Sequence, residues 1–257
     1  EPMVAVSQGV HVVLPREFLP GSSALMIPKT ADGRVLFAIP WHGRLVVGTT
    51  DTPNVKASAE PRALPEEVAF IMEHARKYLA RDPQESDVLS VFAGLRPLVK
   101  RGASGNTSSL SRDHTIVISP SGLITLTGGK WTTYRKMAAD VIDRAETVAG
   151  LGRRPCVTAE LAIHGAPRAG ERTGEGALQF YGCDAAGIAD LAAREPGLSA
   201  RLHPALVMSA AEVVWHARHE MARTVEDVLA RRTRALLLDA RASIAAAPTV
   251  ARLLAKE

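Results

Sequence analysis

The chain has 257 residues, a net charge of +4, 46% hydrophobic residues and 23% charged ones. That balance supports a sizeable core and excludes wholesale disorder. The mild basic excess, with only 4% aromatic residues, argues against a dedicated nucleic-acid binder, which needs a denser basic stripe and aromatics for base stacking.

The start, Glu1-Pro2-Met3, resembles neither an ordinary initiator nor a signal peptide and suggests a piece of a longer chain. The first half reads as closely spaced short strands: His11 to Pro15, Ala24 to Ile27, Val35 to Ile39 and Leu45 to Gly48. Ala31-Asp32-Gly33 and His42-Gly43 are the turns between them, and connections this short imply an antiparallel sheet. A helix is expected from Pro65, with Glu66 and Glu67 in its first turn, to the break at Asp82-Pro83. Further strands are expected at Val88 to Ala93, Thr115 to Ile118 and Leu123 to Thr127, the last two joined by a turn at Ser119-Pro120-Ser121-Gly122. A second helix follows Gly128-Gly129-Lys130 and stops at Gly150, and Arg153-Arg154-Pro155 reads as a linker.

The remainder is rich in Ala, Arg and Leu. Ser209 to Glu212 and Thr224 to Asp227 resemble capping boxes, so residues 158–257 are expected to form a small all-α domain after an α/β part at 1–152. The two cysteines, Cys156 and Cys183, form no CxxC pair and have no zinc-spaced histidines, so no metal site is expected. No apolar run reaches the roughly 18 residues that a bilayer span needs.

Four segments carry chemical promise. Gly128-Gly129-Lys130-Trp131-Thr132 joins a strand to a helix, where backbone N–H groups favour an anion. It is not a Walker loop, because Ile124 stands where the first Gly should be and Trp131 replaces Ser or Thr. Arg96, placed at a strand end before Pro97, suits either bidentate capture of phosphate or carboxylate or a structural pair with an acid. Arg112, beside Asp113 and His114, suits a second phosphate contact or a plain turn. His11 opens an apolar strand and is either a structural residue or a proton acceptor. No GxGxxG is present, since Gly150-Leu151-Gly152 is followed by Pro155.

Taken in order, these blocks resemble one family. Gly9 to Pro15, Phe37 to Trp41, Val47 to Asp51, Gly94 to Leu98, Ser111 to Thr115, Gly128 to Lys136 and the tail from Glu212 to Arg234 are similar to the second half of FAD-dependent glycerol-3-phosphate dehydrogenases. The resemblance implies a D-amino-acid-oxidase-like α+β fold: an antiparallel substrate-binding sheet with flanking helices, then a helical C-terminal domain. It implies oxidation of sn-glycerol 3-phosphate to dihydroxyacetone phosphate, with FAD as cofactor and quinone as electron acceptor. Related oxidases use oxygen, and a basic interaction or membrane-surface module is the reading from another class.

By the same resemblance Arg96 and Arg112 face the substrate phosphate, and Lys130 lies at the substrate and flavin edge. Gly128, Gly129, Trp131 and Thr132 pass beside the flavin ring, His11 is the candidate base, and Thr49-Thr50-Asp51 supports the pocket. Cytoplasmic location, peripheral contact with the inner membrane face and self-association complete the expectations. With no glycine motif in this sequence, the FAD site is expected to be incomplete and the chain alone to bind FAD weakly or not at all. A flavin absorbance spectrum after reconstitution checks this; a stoichiometric bound flavin would contradict it.

Overall fold

The computed structural model describes residues 3–28, 30, 33–53, 56–99, 113–167 and 176–257. Arg112 and the Ala31-Asp32 turn lie outside them. The chain forms two compact units: Glu1–Val10, Thr50–Ala63 and Ala93–Leu161 make one, and His11–Thr49, Leu64–Phe92 and Ala162–Glu257 make the other.

In the second unit, β2 (Leu25–Ile27), β3 (Leu36–Trp41) and β4 (Arg44–Gly48) follow one another as antiparallel neighbours. The C-terminal part of β1 (Val4–Pro15) then pairs with β4, His11 standing opposite Gly48. His42 and Gly43 both have positive φ, 46° and 73°, as a two-residue hairpin turn of the mirror-image type requires. Alternation decides the faces. Leu36 and Ala38 point inward, while Phe37 and Ile39, which alternate with them, stay exposed. Phe37 stands opposite Met26, so β2 and β3 present an apolar outer surface of Met26, Phe37 and Ile39.

Helix α1 (Pro65–Arg76) begins at the expected proline, and the Glu67 carboxylate accepts from the Leu64 amide at 2.9 Å. It ends before Asp82-Pro83, because the chain turns at Lys77 and the Ala80 amide donates to the Phe18 carbonyl at 3.0 Å. Its inner side, Ile71, Met72 and Ala75, is buried, as are Leu14, Phe18, Leu45 and Val47. Each large side chain so buried contributes about 1.5–3 kcal/mol.

The tail of this unit is helical, as expected: α3 (Ala185–Arg194), α4 (Ala210–His219), α5 (Ala235–Leu238) and α6 (Ala240–Leu254). Glu212 closes the expected capping box on Ser209, accepting from its amide at 2.6 Å. At Thr224 to Asp227 the second box opens a π-helical turn, Asp227–Arg232, in place of an α-helix. The core of this part contains Ile188, Ala211, Val213, Val214, Val228 and Val250. Hydrogen bonds tie it to the strand region of the same unit: Ala240 N–H donates to the Leu89 carbonyl at 3.0 Å, and the Ser90 hydroxyl to that of Leu237 at 2.5 Å.

In the first unit, β1 continues back to Val4, seven residues beyond the apolar run that marks it in sequence. Ser7 and Gln8 pair with β5 (Thr52–Pro53). Strand β6 (Ser90–Val99) also pairs with β1 and continues straight through Arg96 and Pro97, so Arg96 lies within a strand and the proline does not turn the chain. β7 (His114–Ile118) and β8 (Ile124–Gly128) form a hairpin around the expected turn. A short 3-10 turn at Trp131–Thr133 then leads into α2 (Tyr134–Val148). No residue of α2 is buried, and Ile142 and Val148 are 57% and 43% exposed.

One polar group sits inside the helical core. His216 is fully buried, and its Nε2 and a Glu212 oxygen each lie 2.9 Å from the Tyr181 hydroxyl. Burial, then the nearby Arg232 charge, pushes the imidazole pKa down to about 4. The folded value lies below the unfolded one, so the unfolded chain takes up this proton first. The stability that depends on it is present above about pH 6.5 and lost as pH falls towards 4, a difference of about 3 kcal/mol. Burial holds Glu212 above the usual carboxylate range, which works in the opposite sense. In urea titrations between pH 7 and 4, the native chain should lose more stability than His216→Leu over the same interval.

Candidate functional site

The residues singled out by sequence gather mainly in the first unit. Arg96 stands on β6, and its guanidinium occupies the space beside Gly9 on β1. A Cβ on Gly9 would lie 2.4 Å from Nη2 of Arg96 and 2.7 Å from its Cζ. A side chain at Gly9 would displace this guanidinium, while the backbone φ there would suit other residues. The Nη1 group of Arg96 donates to the Asp51 carboxylate at 3.3 Å, with 34% of the arginine side chain and 26% of the aspartate still exposed. The Ser7 hydroxyl donates to the same carboxylate oxygen. Thr50 supports the turn, its hydroxyl accepting from the Val10 amide at 3.0 Å. Asp51 orients Arg96 directly, a more specific part than general support of a pocket.

The strand-to-helix loop is built as its glycines suggest, for two reasons at once. Gly128 and Gly129 have φ of +77° and +80°, a region that residues with a Cβ rarely enter. Their neighbours also leave no room. A Cβ on Gly128 would meet Val99 Cγ2 at 2.6 Å and the Asp113 carbonyl at 2.9 Å, and one on Gly129 would meet the Met137 sulfur at 2.5 Å. Lys130 then turns the chain into the helix. The Thr133 hydroxyl accepts from the Lys130 amide at 3.3 Å and donates to its carbonyl at 2.9 Å.

No described residue accepts from the Trp131 or Thr132 amides or from the Lys130 ammonium, and neither the 3-10 turn nor the first turn of α2 contains an acid. The Trp131 indole is 85% exposed and stacks on Tyr134 with ring centroids 5.5 Å apart. The donor set therefore fits a flat group with an anionic edge: two helix-start amides, an ammonium and an open aromatic face.

His11 belongs to the other unit, where its ring stacks on Phe92 at 5.0 Å between centroids. A crevice of about 800 Å³ in the first unit is lined by His114, Asp140, Asp143 and Arg144 and contains none of the other predicted site residues. There the His114 ring is held by Asp140 at 3.0 Å, a pairing the sequence spacing did not reveal. Among the described residues there is no cluster able to hold a metal ion.

A fold of antiparallel substrate-type sheet followed by a helical C-terminal region, with a donor-rich glycine loop, defines a D-amino-acid-oxidase-like flavoprotein class. The profile of the FAD dependent oxidoreductase family matches residues 1–135, and that of the C-terminal domain of alpha-glycerophosphate oxidase matches residues 123–257. The chain belongs to the FAD-dependent oxidoreductase family, in the branch that carries this C-terminal domain. It is 38% identical over its whole length to a mitochondrial glycerol-3-phosphate dehydrogenase of Arabidopsis thaliana, covering 45% of that protein. It is 36% identical over its whole length to the mitochondrial glycerol-3-phosphate dehydrogenase of Mus musculus, covering 38% of it. Among solved structures it is similar to the FAD-complexed glycerol-3-phosphate dehydrogenase of Bacillus halodurans. That match has a TM-score of 0.74 and 27% identity, over 98% of this chain and 53% of the other. The chain thus spans less than half the length of these two curated relatives.

The glycine contacts give a direct test. Gly128→Ala should lower stability by about 1–3 kcal/mol through backbone strain and overpacking together. Gly9→Ala should leave the fold intact but displace the Arg96 guanidinium. Urea unfolding measures the first effect, and weaker binding of inorganic phosphate without loss of stability measures the second.

Proposed function

We propose that this chain forms the substrate-facing part of an enzyme that oxidises sn-glycerol 3-phosphate to dihydroxyacetone phosphate, with FAD as cofactor and quinone as electron acceptor. The observation that carries the reading is similarity over the full chain to glycerol-3-phosphate dehydrogenases of plant and animal origin. When bound, FAD supplies a hydride acceptor.

Arg96 grips the substrate phosphate, its guanidinium plane set by Gly9 and Asp51. Arg112 adds a second guanidinium by its position in the family pattern. Lys130 offers an ammonium to the same substrate, with no competing acid beside it. Gly128, Gly129, Lys130, Trp131 and Thr132 would hold the flavin, the unpartnered amides giving donors to an anionic group. His11 takes the hydroxyl proton of the substrate, a role that rests on the resemblance alone.

A peripheral contact with the inner membrane face, from a cytoplasmic location, belongs to the same proposal. A lipid-soluble acceptor and the net charge of +4 support it. Among the described residues no helix is long and apolar enough to cross a membrane. Self-association is supported by the exposed Met26, Phe37 and Ile39.

The profile matching residues 123–257 is named for an oxidase, so oxygen is the second acceptor to test. Peroxide release against reduction of a quinone analogue separates the two. In the enzyme carrying this chain, Arg96→Ala should lower kcat/KM for glycerol 3-phosphate about 100-fold or more, as expected for a lost charge-assisted phosphate contact. It should scarcely change the rate with unphosphorylated glycerol. An equal loss for both substrates would reduce Arg96 to a structural residue.

A further inference from the structure

The second unit contains a cavity of about 310 Å³ that takes no part in the reaction proposed above. One wall is the β3–β4 hairpin, with His42 and Arg44. The other is the helical tail, with Phe180, Tyr181 and the arginine cluster Arg231, Arg232 and Arg234. Most polar groups on this wall are already engaged. Arg231 is held by Glu226 and Asp227, and Arg232 donates to the Glu220 carbonyl at 3.0 and 2.6 Å. Glu212 spends its oxygens on Tyr181 and Ser209.

Two groups are not so satisfied. Arg234 is exposed, has no ion-pair or hydrogen-bond partner for its side chain among the described residues, and acts electrostatically on both His42 and Tyr181. Arg44 lines the same cavity with 27% of its side chain exposed; its Nη2 donates to the Ala205 carbonyl at 3.0 Å and stands 3.8 Å from the Asp239 carboxylate, while its Nε makes no hydrogen bond.

The backbone is also held out of its ordinary range at both rims. His42 has φ of 46° and Arg234 has φ of 58°, left-handed values that a residue with a Cβ rarely adopts. His42 turns its ring onto Phe180, with centroids 4.3 Å apart, which gives the cavity an aromatic shelf. Burial and the Arg234 charge lower the His42 pKa, so this shelf is neutral near neutral pH.

We propose that this cavity is a second anion site, in which Arg234 and Arg44 hold a small phosphate monoester against the His42–Phe180 shelf. Of the four arginines there, Arg231 pairs with Glu226 and Asp227, Arg232 with Glu220 and Arg44 with Asp239, which leaves Arg234 as the uncompensated charge among the described residues. The volume suits a compact organic phosphate and excludes a whole dinucleotide.

Calorimetric titration of the full chain tests it, with inorganic phosphate and phenyl phosphate as probes at constant ionic strength. The Arg96→Ala background removes the phosphate contact proposed for the first unit. One saturable site should remain in that background, with phenyl phosphate the tighter ligand because it can lie on the shelf. Adding Arg234→Gly should weaken both probes about tenfold or more while relieving the left-handed strain, so the variant folds at least as well. Arg44→Gln should weaken them likewise. Absence of saturable binding in the Arg96→Ala background, or affinities unchanged by Arg234→Gly and Arg44→Gln, would overturn the proposal. Either result leaves the reading of Arg96 untouched.

Discussion

The guanidinium of Arg96 lies where a side chain on Gly9 would have to stand, and the phosphate contact proposed for the first unit follows from that one exclusion. An arginine on a strand has many rotamers, and fixing one loses conformational entropy. Here two constraints share the work. The bare Gly9 backbone supplies a flat bed, and the Asp51 carboxylate, itself held by Ser7, takes one nitrogen of the fork. Residues that look like backbone punctuation in sequence therefore set the direction of the charge.

The loop from Gly128 to Thr132 solves a related problem in the opposite way. Its two glycines do not keep space open for a ligand; their missing side chains are replaced by Val99, the Asp113 carbonyl and Met137 of the same chain. What stays open is the helix start beyond them, where Lys130, Trp131 and Thr132 present donors and an aromatic face without a nearby acid. Tight packing behind the loop and openness ahead of it are two results of the same backbone turn.

Periodicity and turn chemistry made much of this legible from sequence. The apolar strands, the Pro65 helix start, the 119–122 turn and the Ser209 capping box are each controlled by neighbours a few residues away. The extension of β1 through Ser7 and Gln8 is not legible, because those residues pair by backbone with β5 and show no apolar pattern. Pro97 signals a break and so points to a strand end at Arg96, yet a proline on a strand with no bond to give is tolerated. The partnership of Arg96 with Asp51 spans 45 positions and leaves no local trace; the only hint was an acid at the end of a strand. The π-helical turn at Asp227 begins with the same capping residues as an α-helix, so its start was visible and its winding was not.

The Tyr181, Glu212 and His216 trio has a directional consequence. A single hydroxyl proton cannot be given both to the carboxylate and to the imidazole. With Tyr181 donating to Glu212, the histidine must carry its own proton on Nε2 and give it back to the tyrosine oxygen. Its Nδ1 is then a bare lone pair, which matches the buried nitrogen that has no hydrogen-bond partner. The chain of bonds therefore runs one way, from ring to hydroxyl to carboxylate, and ends at the Ser209 cap of α4. A glutamine in place of Glu212 would have to set its amide against either the Tyr181 hydroxyl or the Ser209 N–H. A single oxygen-for-nitrogen exchange would thus reverse the bond chain or open the helix start, so the polarity of a buried triad and the beginning of a helix are one structural commitment.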